Sequence, residues 1–322
     1  MDSFIYSINA TVPIFLVMIL GGIIKKLKII DINFANKANK YVFIVALPAM
    51  LFKDISQSDV KTTFDIRFVL YCMIVTTVCF VVIWLLSELF MKDDTMKGSF
   101  IQGSFRGSAA ILGLAFVQSM YSNTGMAPLM IVAAVPLYNI YSVIVLTFKA
   151  RKQNEDGSLI EVSNLENIKK ACINILKNPI IIAIFLGLCF SVLNFKLPVI
   201  LDKTITSVAS TATPIALIVI GAGFEGRKAI KKIKPAIIGS FIKLVLQAGI
   251  FLPIAIWMGF RNQELVSILI MLASPATVSC YIMAKSMNND EVLASSIVVL
   301  TTLFSAVTLT AWIYVLRMGG FI

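Results

Sequence analysis

One stretch of the sequence places polar and helix-breaking residues inside a segment apolar enough to cross a membrane. It is SPATVSCYIMAKSMNND, at 274–290, in which Pro275 stands between Ser274 and Thr277. An interrupted helix leaves backbone N–H and C=O groups unpaired in hydrocarbon, unless they face protein, water or a ligand. N–H groups at the start of a half-helix suit an anion. We therefore predict a binding site at this break, although a tolerated proline kink gives the same sequence pattern.

Two further apolar stretches contain polar side chains that could bind a carboxylate. Lys243 lies nine residues after Lys234, about 13 Å along a helix from its cytoplasmic end, and Gln247 follows one turn later. An ionisable residue at that depth is a functional candidate, with an ammonium that reaches the inner lipid interface as the alternative. Asn139, in AAVPLYNIYSVI, is a candidate substrate contact or an interhelical hydrogen-bonding residue.

The composition identifies the chain as a polytopic membrane protein. Of its 322 residues, 58% are hydrophobic, and mean hydropathy is +0.91. With about 20 apolar residues per crossing, we predict an all-α integral membrane fold of ten transmembrane helices. The predicted spans are roughly 5–24, 37–55, 66–90, 99–120, 126–148, 178–195, 204–223, 235–257, 264–288 and 292–316.

The positive charges predict the orientation in the membrane. When loops are assigned to alternate sides, 20 of the 28 Lys and Arg residues, with Lys97 and Arg106 among them, fall on one side and seven on the other. The excess marks the cytoplasmic side, so both termini are predicted to be extracytoplasmic in the cytoplasmic membrane. Orientation also explains the net charge of +11 without nucleic acid, although basic loops could contact anionic lipid.

Missing residues and motifs exclude several function classes. The chain has no histidine, and its five cysteines show no C-x-x-C spacing, so neither a metal site nor a cofactor is predicted. Walker-type, H-E-x-x-H and G-x-S-x-G patterns are absent, so we predict neither an enzyme nor an ATP-driven pump. Asp65, Glu88 and Glu291 lie near span ends, which argues against an antiporter with paired mid-membrane carboxylates.

An internal repeat indicates a transporter. Gly21 and Gly187 are 166 positions apart, as are Pro48 in LPAMLF and Pro214 in TPIALI. Five spans separate the copies, so the second enters the membrane from the opposite side, which is typical of transporters with a site at the repeat interface. We predict a first repeat at 1–148, a cytoplasmic linker at 149–177 and an inverted second repeat at 178–322. Helix breaks or hinges are predicted at Pro48, Pro214 and Pro275.

The same comparison pairs the fourth predicted span with the ninth. An offset of 167 aligns SAAILGLAFVQSM with PATVSCYIMAKSM, so that Ser108 matches Pro275 and Gly113 matches Cys280. Both spans therefore contain small, hydroxylated or helix-weakening residues near the middle. We predict that spans four and nine are broken crossover helices.

Several of these segments resemble the auxin efflux carrier family in its bacterial branch. The resemblance covers nearly the whole chain, through PIFLVMILGGIIKKLKIID, YVFIVALPAMLFKDIS, FRGSAAILGLAF, YNIYSV, TPIALIVIGAGF and MAKSMNNDEVLASSIVVLTTLFS. It implies a secondary transporter with two inverted five-helix repeats, and bacterial relatives associated with malate or malonate. Carried onto this chain, the crossover contacts are Gly107, Ser108, Gly113, Ser274, Pro275 and Thr277. Ser108 and Ala115 stand where the family often has asparagine and proline.

We therefore predict a secondary transporter that moves a small organic anion by alternating access. The crossover N–H groups and Lys243 would neutralise the carboxylate, with Asn139, Gln247, Ser108 and Thr277 as orienting contacts. Sodium or protons are the candidate coupling ions, and the resemblance is consistent with a homodimer. The alternatives are a sodium-coupled symporter of the same superfold for bile-acid-like anions, and a membrane sensor that transports nothing.

Overall fold

A computed structural model describes residues 2–57, 65–109, 117, 120–121, 126–150, 172–173, 175–193, 195, 197–224 and 226–322. These residues form helices and no strands. The helices are α1 Asp2–Lys26, α2 Ile32–Tyr41, α3 Leu47–Ser56, α4 Ile66–Phe90, α5 Asp94–Phe105, α6 Ala127–Phe148, α7 Pro179–Leu193, α8 Val199–Ser210, α9 Ala212–Gly223, α10 Gly226–Lys231, α11 Ile233–Phe241, α12 Gln247–Trp257, α13 Asn262–Ala273, α14 Ser279–Ser286 and α15 Glu291–Met318.

Apolar length supports the membrane assignment. Within the described residues, five continuous or nearly continuous helical segments are long and apolar enough to cross a membrane: Ile66–Phe90, Ala127–Phe148, Val199–Gly223, Ile233–Trp257 and Glu291–Met318. Helices α7 and α13 are apolar but shorter. Large apolar side chains such as Leu70, Ile74 and Leu85 are exposed on α4, which suits contact with lipid. The chain is therefore an integral membrane protein, and most of the predicted linker, 151–171 and 174, lies outside the described residues.

Two predicted hinges fall in continuous or nearly continuous helix. Pro48 lies in the first turn of α3, immediately after a π-helical turn, Val42–Ala46, that joins α2 to α3. Pro214 lies in the first turn of α9, and only Thr211 separates α9 from α8. Proline is tolerated in a first turn because its missing N–H has no intrahelical partner there. Neither proline opens a gap of several residues.

Two helices do end within predicted spans. Helix α5 ends at Phe105, and Arg106, Gly107 and Ser108 are not helical. Helix α13 ends at Ala273, and α14 begins only at Ser279. The stretch SPATVSCYIMAKSMNND at 274–290 therefore contains a helix break and not a bend in a continuous helix.

Glycines related by the sequence repeat pack in the same way. A Cβ atom added to Gly21 in α1 would overlap the backbone carbonyl of Ile218 in α9, and one added to Gly187 in α7 would lie 3.2 Å from the carbonyl oxygen of Phe52 in α3. The contacted residues, Phe52 and Ile218, are themselves 166 positions apart, as the two glycines are. Small residues thus allow a close helix approach at equivalent positions of both copies, and the approach is closer between α1 and α9 than between α7 and α3.

Charged side chains gather where α4, α5 and α6 meet. The Lys97 ammonium lies 2.6 Å from an Asp94 oxygen and 2.9 Å from a Glu88 oxygen, and Lys149 also pairs with Glu88. The hydrogen bond that Lys97 donates to Asp94, with the one it donates to Glu88, holds the pKa of Lys97 above its ordinary value. Lys97 and Lys149 both belong to the side predicted to be cytoplasmic.

Candidate functional site

The two helix breaks cross each other. The backbone N–H of Ser108 donates to the carbonyl oxygen of Pro275 at 2.8 Å. Pro275 has no N–H to satisfy, and the N–H of Ala276 donates to Thr301 Oγ1 of α15 at 3.0 Å. These bonds satisfy backbone groups that the break removes from a helix. The residues that meet, Ser108 and Pro275, are the pair aligned by the sequence repeat.

Lys243 satisfies the last carbonyls of α13. Its side chain is fully buried, and Nζ donates to the carbonyl oxygens of Leu272 at 2.8 Å and Met271 at 3.1 Å. The Tyr138 hydroxyl also donates to the Met271 carbonyl, at 2.9 Å. A cation is favourable beside the carbonyls that end a helix. The ammonium therefore binds the break and does not reach the lipid interface.

Gln247 links the same arrangement to α5. Its Oε1 accepts a hydrogen bond from Lys243 Nζ at 3.3 Å, while its Nε2 donates to the Ser104 carbonyl at 2.7 Å. Ser104 lies in the last turn of α5, just before the first break. Lys243 and Gln247, which are one helical turn apart, therefore donate hydrogen bonds to backbone carbonyls at the ends of both broken helices.

A π-helical turn, Ile242–Leu246, joins α11 to α12 and carries Lys243. Such turns are rare and are often found at functional sites. Gly107 lies against Lys243, because an added Cβ would be 2.5 Å from Ser274 Oγ and 2.9 Å from Lys243 Nζ. A side chain at position 107 would therefore separate the crossing elements.

Arg106 is the main site residue that the sequence analysis missed. Its residue surface is 5% exposed, and Nη2 donates to Asn139 Oδ1 at 2.8 Å. Nη1 lies 3.0 Å from Met283 Sδ and 3.3 Å from Ser142 Oγ. Counting Arg106 among the cytoplasmic loop charges was wrong, because it lies at the first break. The available signal was an arginine inside the predicted 99–120 span.

A small cavity lies beside the crossing. Its volume is about 40 Å³, which is room for a few water molecules. Arg106 and Asn139 form part of its wall, together with Thr277 and Ser279 at the start of α14. The Ser279 N–H donates to Thr277 Oγ1 at 3.3 Å. The cavity thus combines a guanidinium group with hydroxyl groups at a helix N-terminus.

The predicted site residues divide into two groups around this cavity. Those that line it are Gly107, Ser108, Asn139 and Thr277. Those that lie at the crossing without lining it are Lys243, Gln247, Ser274 and Pro275. Gly113 lies outside the described residues.

Asp54 also lines the cavity and was missed. It lies near the end of α3, where the sequence analysis expected the second span to end. An acidic residue at a span end is usually accessible to water, so position along the chain gave no sign of this one. Within the described part of the chain, Cys, Asp and Glu residues nowhere gather in a group of three that could hold a metal ion.

Comparison with known proteins gives matches along nearly the whole chain. Residues 6–313 match the family described as membrane transport protein. A protein named "Putative malonate transporter" from Rhizobium meliloti (strain 1021) is 27% identical over 294 residues, which cover 88% of this chain and 87% of the relative. A protein named "Uncharacterized transporter YfdV" from Escherichia coli (strain K12) is 25% identical over 317 residues, which cover 97% and 98% of the two chains.

Proposed function

We propose that this chain, which belongs to the membrane transport protein family, moves a small organic anion across the cytoplasmic membrane as a secondary transporter. The family match confirms the resemblance drawn from the sequence. The protein is a transporter and not an enzyme. The class of substrate and the mechanism are the proposal.

The observation that carries the proposal is the environment of Arg106. This guanidinium is buried, and its described partners are the amide oxygen of Asn139, the hydroxyl of Ser142 and the thioether of Met283. Among the described residues, no carboxylate forms an ion pair with it. A buried cation without a counter-ion is costly, and guanidinium matches the geometry of a carboxylate. The Asp54 carboxyl lines the same cavity, and we propose that a substrate anion placed against the guanidinium supplies the missing charge.

The groups around Arg106 would orient that anion. Asn139 is held in place because its Nδ2 donates to the Val135 carbonyl at 2.9 Å. Thr277 and Ser279 add hydroxyl groups at the N-terminus of α14, whose partial positive charge favours an anion. Ser108 belongs to the same wall. We assign Lys243 and Gln247 the role of positioning residues, because their polar groups already bind the ends of α13 and α5.

The size of the cavity supports a conformational cycle. A volume of about 40 Å³ is far below the roughly 300–1,000 Å³ typical of ligand pockets. We take this conformation to be one in which the site is contracted, and binding to require movement of its walls. Relative movement of two repeat-derived bundles would open the site to one side at a time.

The packing of the glycines supports the inverted repeat. Gly21 against Ile218 and Gly187 against Phe52 are equivalent contacts at one sequence offset, as expected for two copies related by a two-fold axis. The Ser108–Pro275 hydrogen bond joins equivalent positions in the same way. We therefore retain ten spans in two five-helix repeats as part of the proposal. The distribution of Lys and Arg residues adds the placement of both termini outside.

The test is uptake of radiolabelled malonate, malate and indole acetate into proteoliposomes that contain the purified protein. We expect saturable uptake of one acid, competed by unlabelled acid. Arg106→Gln should abolish it, whereas Arg67→Gln should not, because Arg67 donates to the Met258 carbonyl at one end of the bundle. Both variants must show the thermal unfolding of a folded protein.

Two results would contradict the proposal. Uptake that survives Arg106→Gln would refute the assigned anion contact. Absence of uptake of any organic anion by folded protein would favour another solute, or a sensor. A strict sodium requirement would select the sodium-coupled alternative.

A further inference from the structure

The Lys243 ammonium lies in a cluster of oxygen atoms of the kind that binds metal cations. Two backbone carbonyls and one amide oxygen surround it, at 2.8, 3.1 and 3.3 Å. The carbonyls belong to Met271 and Leu272, in the last turn of α13, where the helix dipole is negative. In transporters with broken helices, such half-helix ends and unwound carbonyls coordinate the coupling sodium ion.

A fourth oxygen lies close to this cluster. Ser274 Oγ is completely buried and has no hydrogen-bond partner among the described residues. A Cβ atom added to Gly107 would lie 2.5 Å from this hydroxyl and 2.9 Å from Lys243 Nζ, which brings the two groups to the same point of the crossing. Buried polar atoms are normally hydrogen-bonded. The unsatisfied Ser274 hydroxyl beside the oxygen cluster is therefore a further oxygen available to coordinate a cation.

The charges around the cluster fit a tethered cation. The described partners of the ammonium are neutral oxygens. Carbonyl, amide and hydroxyl oxygens are the ligands that hard cations prefer, and uncharged ligands of this kind suit a cation with a single charge. Arg106, the other buried cation at the crossing, is directed to Asn139, Ser142 and Met283 instead. The two cations therefore have separate partners among the described residues.

We propose that the Lys243 ammonium is a built-in cation, which occupies the position of a coupling sodium ion at the end of α13, so that transport by this protein needs no sodium. The cation site itself stands on the geometry of Lys243. The independence from sodium rests on the proposed transport function. An ordinary helix cap, which needs only a hydrogen-bond donor, is the alternative that the experiment must separate.

Two substitutions separate these ideas. Lys243→Ala removes the ammonium and leaves space among the oxygens. Lys243→Met also removes the charge but fills most of that space with an apolar side chain. Thermal unfolding of each purified full-length variant, and of the unaltered protein, is measured in choline chloride, sodium chloride and ethylammonium chloride at constant ionic strength. Ethylammonium reproduces the end of the missing side chain.

We expect the melting temperature of Lys243→Ala to rise with sodium or ethylammonium and to saturate. A site with Kd near 10 mM would shift the folding equilibrium about tenfold at about 100 mM cation. Lys243→Met and the unaltered protein should show no such rise. If folded Lys243→Ala responds to neither cation, or responds no more than Lys243→Met, the built-in cation is refuted.

A second measurement needs no variant and decides the matter if Lys243→Ala does not fold. Sodium is replaced by choline on both sides of proteoliposomes that contain the unaltered protein, and sodium is titrated against its melting temperature. Uptake within twofold in the two salts, and an unchanged melting temperature, support the proposal. A saturable sodium requirement, or saturable stabilisation by sodium, overturns it.

Failure of the proposed transport function gives a different result from failure of the built-in cation. If no organic anion is taken up in either salt, the proposed function is refuted. The melting temperatures then still decide whether the Lys243 position is a cation site. If uptake occurs but depends on sodium, the proposed transport of an organic anion is supported and the built-in cation is refuted.

Discussion

Replacing Gly107 by alanine tests whether the two breaks cross as closely as described. The new Cβ would lie 2.5 Å from Ser274 Oγ and 2.9 Å from both Cε and Nζ of Lys243. Ordinary carbon contacts are about 3.5–4.0 Å, so these atoms must move by roughly 1 Å. Such a movement would lengthen the 2.8 Å bond from Lys243 to the Leu272 carbonyl beyond useful length.

The expected cost combines two effects. Overpacking in a well-packed interior costs about 1–3 kcal/mol, and a weakened hydrogen bond from a charged donor adds about 1–2 kcal/mol. We expect a total of about 2–5 kcal/mol. At about 2–4 °C per kcal/mol, the melting temperature should fall by roughly 4–20 °C. Uptake should fall with it, because the same displacement disturbs the site.

A matched glycine supplies the control. A Cβ added to Gly249 in α12 would meet Trp312 at 3.7 Å, which is an ordinary contact, so Gly249→Ala should be neutral or stabilising. Ser274→Ala should also be neutral or stabilising, since its hydroxyl has no partner among the described residues. Combined with Gly107→Ala, it should recover about 1 kcal/mol or more, because it removes the closest atom. Equal melting temperatures for Gly107→Ala and Gly249→Ala would refute the crossing.

Four other substitutions test the supporting contacts by thermal unfolding. Gln247→Leu should cost about 2–4 kcal/mol, because it leaves a buried carbonyl of α5 without a donor and removes an acceptor from a buried ammonium; a loss below 1 kcal/mol contradicts this role. Thr301→Val keeps the shape but deprives the Ala276 N–H of its acceptor, so a loss of about 1–3 kcal/mol is expected, and an unchanged melting temperature counts against the contact. Gly21→Ala should destabilise more than Gly187→Ala, because its Cβ would overlap backbone while the other meets neighbours at 3.1–3.3 Å; the opposite order would contradict the packing.

The sequence predicted the parts of the crossing that leave a mark along one chain. Proline and small polar residues at 274–277 indicated the break, and the internal repeat aligned Ser108 with Pro275, which are hydrogen-bonded. The position of Lys243, nine residues after Lys234 within an apolar stretch, indicated that it was a functional candidate. Each of these signals depends on spacing within a helix or between two copies of a repeat.

The partners of these residues could not be predicted in the same way. Lys243 was expected to neutralise a carboxylate, but the carbonyls it binds become available only where α13 ends beside the α11–α12 turn. Arg106 was counted with the loop cations because a tally of charges does not distinguish an arginine at a helix break from one at a helix end. Asp54 reaches the cavity through the packing of α3, about which its neighbours in sequence give no information.

The attachment of the Lys243 ammonium to its helix has an electrical consequence. A free sodium ion that crosses with a solute moves one charge through the membrane potential, worth about 2.3 kcal/mol per 100 mV. A tethered ammonium returns to its starting point in each cycle and performs no net electrical work. An organic anion that crosses with no mobile cation is therefore driven only by its own concentration gradient and by the membrane potential. Across a membrane that is negative inside, the electrical part of that force points outward, and it doubles for a dianion.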